Sequence, residues 1–244
     1  MGESAFVSSE EEVGFLVSEK VPRGILREVR GVLFDLDGTV LDTRELLLTT
    51  FRFAVREVLG KDLPDEQLLA KVGQPLDTQM WDFTEDATVH AELCRVYREH
   101  NARVHDGLVK MFPGTREALM HLKAAGLPLG IVTSKRHALA SRGLACFGLE
   151  QCFDFLIGSD DWPEHKPDPG PVRHGCDLLG LSPDDCVYVG DSPFDMRAGN
   201  DAGCVTIAAL WGMFPESVLR GECPDLVCDS ITEMSGLLTS SSSS

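Results

Sequence analysis

Long apolar runs are missing from this 244-residue chain. None approaches the roughly 18 residues that a membrane-spanning helix needs, so no membrane partner is expected. Positive charge is scarce as well: 22 Lys and Arg face 39 Asp and Glu, a formal net charge of -17. That balance repels polyanions and argues against nucleic acid or anionic lipid as partners. An anionic small molecule would therefore need a local cation of its own. Among the eight cysteines there is no C-x-x-C, and no Cys/His cluster has zinc spacing. A chain this long can bury a large core and does not need a disulfide framework. Reduced thiols are expected, with Cys186 and Cys204 acting as small buried hydrophobes. The opening MGESAFVSSEEE is acidic where a secretory signal is basic and then apolar, so a cytoplasmic location is expected.

What is present is a repeated alternation. Short, nearly continuous apolar runs occur at 31–37, 127–134, 153–160, 186–192 and 204–210, with a weaker one at 225–230. Continuous apolarity, as opposed to alternation, marks strands covered on both faces, as in parallel sheets. Between them, 114–125, 135–147, 169–180 and 193–202 have helical length and pattern. This predicts a doubly wound α/β fold with a mainly parallel sheet. One connection breaks the rhythm. From Asp42 to Met111 no strand is expected, only helices over 44–59, 65–71, 76–83 and 86–105. Such an excursion is too long for a loop and reads as an inserted helical domain. The expected boundaries are an N-terminal extension at 1–29, a core of 30–44 and 109–238, an insert at 45–108, and a disordered Ser-rich tail at 239–244.

The first run, VLFDLDGTVLDT, places two aspartates around one leucine after four apolar residues. If Val32–Leu36 is a strand, Asp35 and Asp37 point to one face, and Gly38 lets the chain turn. By itself DLDG is also an ordinary turn. The other runs end in equally polar residues: Thr133, Ser134 and Lys135; Ser159, Asp160 and Asp161 with Lys166 soon after; Asp191 and Ser192 with Asp195 one turn on. In open α/β sheets the crevice beyond the carboxyl ends of the strands binds ligands. Carboxylates, a hydroxyl and a lysine delivered there by separate segments are hard to explain as turn chemistry alone.

In order, the segments DLDGT, IVTSK, KPDP and GDSPFD resemble the four motifs of the haloacid dehalogenase-like hydrolase superfamily, over residues 30 to about 238. VGQP, HKPDPGPV and GDSPFDMRAGNDAG are most similar to its phosphoglycolate phosphatases and the related inorganic pyrophosphatases. The resemblance implies a Rossmann-like catalytic core with a mobile helical cap, and a Mg2+-dependent phosphatase working through an aspartyl-phosphate. It implies Asp35 as nucleophile and Asp37 as general acid and base. Thr133, with Ser134, would bind the phosphoryl group and Lys166 would neutralise it. Asp35, the backbone carbonyl of Asp37, Asp191 and, through waters, Asp195 would hold the Mg2+. Asp195 in a helix's first turn has a second reading, as a partner of the helix dipole, and Ser134 a second reading as an N-cap. Lys71 and Gln74, in the loop reaching over the site, are the cap candidates. Asp160 and Asp161 are either partners of Lys166 or loop residues; His165 is read as surface, and Trp81, Phe83 and Trp162 as packing. The expected substrate is a small phosphate ester of the phosphoglycolate type, with inorganic pyrophosphate the alternative. A phosphosugar mutase is disfavoured, because its metal loop has Glu-Asp where this chain has Gly190-Asp191. A non-catalytic binding module would have lost a motif residue, and none is lost. A monomer or homodimer is expected.

Overall fold

The computed structural model describes residues 29–240. The chain runs β1 (Gly31–Phe34), β2 (Leu41–Asp42), α1 (Arg44–Leu59), α2 (Asp65–Leu69), α3 (Leu76–Met80), α4 (Ala87–Leu108), β3 (Lys110–Met111), α5 (Thr115–Ala124), β4 (Leu129–Val132) and α6 (His137–Cys146). It continues through β5 (Phe155–Ile157), α7 (Gly170–Leu179), β6 (Cys186–Gly190), α8 (Pro193–Ala202), β7 (Val205–Ala209), α9 (Glu216–Arg220), β8 (Leu226–Cys228) and α10 (Ile231–Ser240).

Six strands form one parallel sheet in the order β5-β4-β1-β6-β7-β8. Their near-continuous apolarity has a direct cause, because both faces are covered. Val32 and Phe34 pack into a cluster with residues of α5 and α10, while Leu33 between them joins a second cluster with α7 and α8. A period of two along the strand thus feeds two cores at once. Strand order reverses at β1: β4 and β5 extend one way, β6 to β8 the other. At that switch point the carboxyl ends of β1 and β6 lie side by side.

Helices α1 to α4 bury an apolar cluster of their own, including Leu47, Phe51, Val55, Leu68, Met80, Leu93 and Tyr97. Helix α4 begins at Ala87 because the Asp86 side chain accepts from the backbone N–H groups of Thr88 and Val89. The chain enters and leaves this unit through β2 and β3, which pair antiparallel, Leu41 with Met111 and Asp42 with Lys110. The expectation of no strand between Asp42 and Met111 is corrected here. Two-residue strands carry no periodicity and exist only because the outgoing and returning chain run side by side.

Two further expectations are corrected. Strand β1 stops at Phe34, so Asp35 and Asp37 are not displayed by strand alternation; both sit in the turn beyond it, where Asp37 makes an isolated bridge to Leu41. Thr239 and Ser240 belong to α10 and are not part of a disordered tail, and the Thr239 hydroxyl donates to the Ser235 carbonyl. The remainder of that tail, 241–244, and residues 1–28 of the extension lie outside the described residues. Among the described residues no helix is long and apolar enough to cross a membrane, and all eight cysteines are free thiols.

Candidate active site

Asp35 follows β1 directly, and its N–H continues the ladder to the Val189 carbonyl at 2.9 Å. The residue is 3% exposed and its side chain meets Lys166, whose Nζ lies 2.7 Å from Asp35 Oδ1 and 2.5 Å from Asp195 Oδ1. Lys166 Nζ also approaches the Val132 carbonyl at 3.4 Å and stands 5.7 Å from the Tyr188 ring centroid. The Tyr188 hydroxyl, with one hydrogen to give, lies 3.0 Å from Val132 O and 3.2 Å from Asp195 Oδ1.

Asp195 does two jobs with its two oxygens. Oδ1 holds Lys166, while Oδ2 accepts from the backbone N–H and hydroxyl of Ser192, closing a capping box at the start of α8. Asp191 has a different environment. Its oxygens accept from the Thr39 hydroxyl at 3.3 Å and the Met213 N–H at 2.7 Å, and none of its hydrogen bonds is to a cation. The cradle around it is tight, because a Cβ on Gly38 or on Gly212 would lie 2.2 Å from Asp191 atoms.

Asp35, Asp191 and Asp195 each offer an oxygen within 4.8 Å of the others, all buried. Three carboxylates around one ammonium, all four groups buried, would leave an excess of two negative charges if every carboxyl were ionised. Burial accordingly pushes the Asp35 carboxyl up to about 7, against the pull of Lys166 and with a further push from Asp195. Burial, then the Asp195 and Asp35 charges, raises Asp191 well above the carboxylate range. For Lys166 burial works to lower the value, but the Asp195 and Asp35 carboxylates outweigh it and hold the ammonium charged. An all-oxygen donor set with excess negative charge fits a hard divalent cation. The other grouping of metal-ligating side chains, His105, Asp106 and Cys146, has the Arg142 guanidinium on Asp106 at 2.8 Å and its charge is already met.

Above this floor lies a cavity of about 170 Å³. Asp35, Asp37, Thr133, Ser134 and Gln74 all line it. Lys135, which sequence reasoning left without a role, also lines it and holds both Asp37 oxygens, at 2.8 and 3.0 Å. Lys71 is exposed and does not reach the cavity, which corrects its place as a cap candidate. Ser134 does not cap α6; its hydroxyl donates to the Gly73 carbonyl at 2.6 Å and ties the VGQP loop to the core. Asp160 and Asp161 make no contact with Lys166: they accept from the His137 N–H and the Gly158 N–H and shape the turn before α6. His165 is half-buried, and Trp81, Phe83 and Trp162 stay off this cavity.

Gly73 shows why that loop has its sequence. Its φ is +102°, and a Cβ there would lie 2.5 Å from Ser192 Oγ, which the capping box holds in place. Gly73→Ala is therefore expected to unseat the loop while leaving both apolar cores intact. Amide hydrogen exchange at 72–74 should rise by about tenfold or more, with Tm lowered by only a few degrees. Unchanged protection would show that this seat on the core does not hold the loop.

Of the residues missed in the sequence, Tyr188 carried a signal: a phenol inside a fully buried strand needs a partner for its hydroxyl. Tyr97 carried none. These are the only two tyrosines of the chain, and both come to this site.

A family model described as haloacid dehalogenase-like hydrolase matches residues 32–209. Over 207 residues the chain is 35% identical to the PpaX protein of Caldanaerobacter subterraneus subsp. tengcongensis, covering 85% of this chain and 93% of that one. It is 32% identical over 212 residues to pyrophosphatase PpaX of Bacillus velezensis, covering 85% and 95%. Among solved structures, a predicted phosphoglycolate phosphatase from Haemophilus somnus 129PT superposes with a TM-score of 0.79 at 24% identity, covering 85% of this chain and 96% of that one. At that identity the likeness is one of fold.

Proposed function

This chain belongs to the haloacid dehalogenase-like hydrolase family and is a phosphatase, and from that premise we propose that it hydrolyses inorganic pyrophosphate through an aspartyl-phosphate on Asp35, with Mg2+ as cofactor. The observation that carries the reading is the pairing of Asp35 with Lys166 at 2.7 Å on the floor of a cavity that Asp37 also lines. Asp35 attacks phosphorus and displaces the leaving oxygen. Lys166, kept in place by Asp195, turns from Asp35 toward the phosphoryl oxygens as their charge arrives. The Thr133 hydroxyl donates to the same group. Asp37 gives its proton to the leaving oxygen and afterwards takes one from the water that cleaves the acyl-phosphate. Asp35, Asp191 and the Asp37 backbone carbonyl would hold Mg2+, with Asp195 on its waters. The ion would keep these carboxylates ionised and screen them from the anionic substrate.

For the leaving group, the support is that the relative from Bacillus velezensis is named a pyrophosphatase, and that Lys135, Arg98 and Arg136 stand in the cavity wall, interleaved with Asp35, Asp37 and Asp77. A second reading, an organic ester of the phosphoglycolate type, draws support from Leu47, Val72, Leu76 and Leu139 in the same wall. A mutase loop with Glu at position 190 is at odds with this packing, since a Cβ there would lie 2.3 Å from the Asp195 Cβ. The test is a Mg2+-dependent turnover screen over pyrophosphate, phosphoglycolate and sugar phosphates. Pyrophosphate should give the highest kcat/KM. A higher value on an organic ester would transfer the assignment to the second reading, and no turnover on any compound would overturn both.

A linked prediction concerns stability and pH. Asp35 and Asp191 have folded-state values raised above the ordinary carboxylate range, Asp35 to about 7. Between that range and about 7 the folded protein holds protons the unfolded chain has released, so stability falls as pH rises through this window. Metal-free protein should lose Tm from about pH 5 to pH 8, and the Tm gain on adding Mg2+ should grow over the same span. In Asp191→Asn the pH slope should flatten. A Mg2+ increment independent of pH, measured by thermal unfolding, would contradict ligation by these carboxylates.

A further inference from the structure

The cations around the cavity already have carboxylate partners: Lys135 with Asp37, Arg98 with Asp77, Arg136 with Asp160. Tyr97 does not fit that pattern. It projects from α4, lines the cavity and is 6% exposed. Its ring packs on Phe51 with centroids 4.8 Å apart, which fixes the direction of the phenol. The hydroxyl has no hydrogen-bond partner among the described residues, yet it is not among the polar atoms sealed from solvent. Burial first, and the neighbouring Asp37 carboxylate second, keep it protonated, so it is a donor across the working pH range. One helical turn on, Asn101 lines the same cavity. The Thr50 hydroxyl donates to the Leu46 carbonyl, so toward Asn101 it can only accept, from Nδ2. The Asn101 amide is thereby oriented, and its Oδ1 is left buried and without a partner. A buried hydrogen-bonding group without a partner is destabilising. Tyr97 and Asn101, at i and i+4, share one helix face.

We propose that Tyr97 is a specificity-determining residue that donates a hydrogen bond to an acceptor oxygen of the leaving group. Monohydrogen phosphate leaving from pyrophosphate offers an ionised oxygen to the Tyr97 hydroxyl. The carboxylate of a small hydroxy acid offers one as well, whereas an aryl leaving group presents a ring at that depth. The inference rests on the phosphatase reading and not on which small phosphate compound is preferred.

Tyr97→Phe removes one oxygen and leaves the ring on Phe51, so the fold is retained. The ratio of kcat/KM on pyrophosphate to that on p-nitrophenyl phosphate should fall about tenfold or more, with the Mg2+ dependence unchanged. If phosphoglycolate proves the better substrate, the same ratio is taken with it, so failure of the pyrophosphate assignment and failure of this inference are separable. Equal losses on both substrates, or no loss on either, would overturn it. Calorimetry in the Asp35→Asn background supplies a turnover-free reading: adding Tyr97→Phe should weaken binding of whichever of pyrophosphate and phosphoglycolate is the better substrate by about tenfold, and an unchanged Kd for that compound would overturn the inference.

Discussion

Asp35→Asn should reduce turnover of every phosphate compound by at least about 10⁴-fold, the scale on which loss of a nucleophile is felt. An amide has the size of the carboxylate but cannot form the acyl-phosphate. The fold should survive, for reasons visible in the buried cluster. Lys166 keeps its bond to Asp195 at 2.5 Å, and the neutral amide removes one of the two excess negative charges. Because burial already pushes Asp35 up to about 7, a side chain that never ionises fits the metal-free site at least as well. Phosphate release and a melting curve on the same sample decide the matter. Activity above about 1% of wild type with a normal Tm would mean that Asp35 is not the nucleophile.

Lys166→Met should cost both activity and stability, which separates it from Asp35→Asn. Methionine fills the space of the alkyl stem but brings no charge. Asp35 and Asp195, 3% and 0% exposed, would then face each other and Asp191 without a cation. Breaking a buried ion pair from one side costs about 3–5 kcal/mol, which for a chain of this length lowers Tm on the order of 10 °C. The deficit should shrink as pH falls toward 5, where the orphaned carboxylates take up protons, and should shrink again when Mg2+ is added at neutral pH. Turnover should fall by about 10³-fold or more, since the charge on the transferring group goes unmet. A Tm unchanged near neutral pH would mean that the carboxylates find another counter-charge. Activity within tenfold of wild type would remove Lys166 from the chemistry.

The parts of the site written in short local motifs were readable in advance, and the parts made by distant helices were not. Asp35, Asp37, Thr133, Lys166, Asp191 and Asp195 all end or follow strands, and strands that are apolar throughout stand out along the chain. Once they are placed in one parallel sheet, their carboxyl ends converge whatever the loop details. Lys135 was visible as a residue but not as a partner, because its contact with Asp37 spans 98 positions. The misplacement of Lys71 has the same origin. Its place beside the VGQP loop made it a candidate together with Gln74, but Gly73 turns that loop so that Gln74 faces the cavity while Lys71 remains in solvent. Tyr97 and Asn101 were unreadable, since at helical spacing a tyrosine and an asparagine look the same whether they face a core, a cavity or water.

By itself the sequence determined the α/β alternation, the interruption after the first strand and the set of groups at the strand ends. Those features are local: an apolar run covered on both faces, a helical period, a glycine where the chain must turn. The tertiary structure alone decided how Asp195 divides its oxygens between Lys166 and its own helix, that Asp191 is met by the Thr39 hydroxyl and the Met213 N–H, and that Ser134 holds the Gly73 loop down. It also decided which face of α4 looks into the cavity. Each of these depends on a side chain meeting a group far along the chain, and hydrogen-bond partners of that kind exist only once the sheet and the helical unit are packed together.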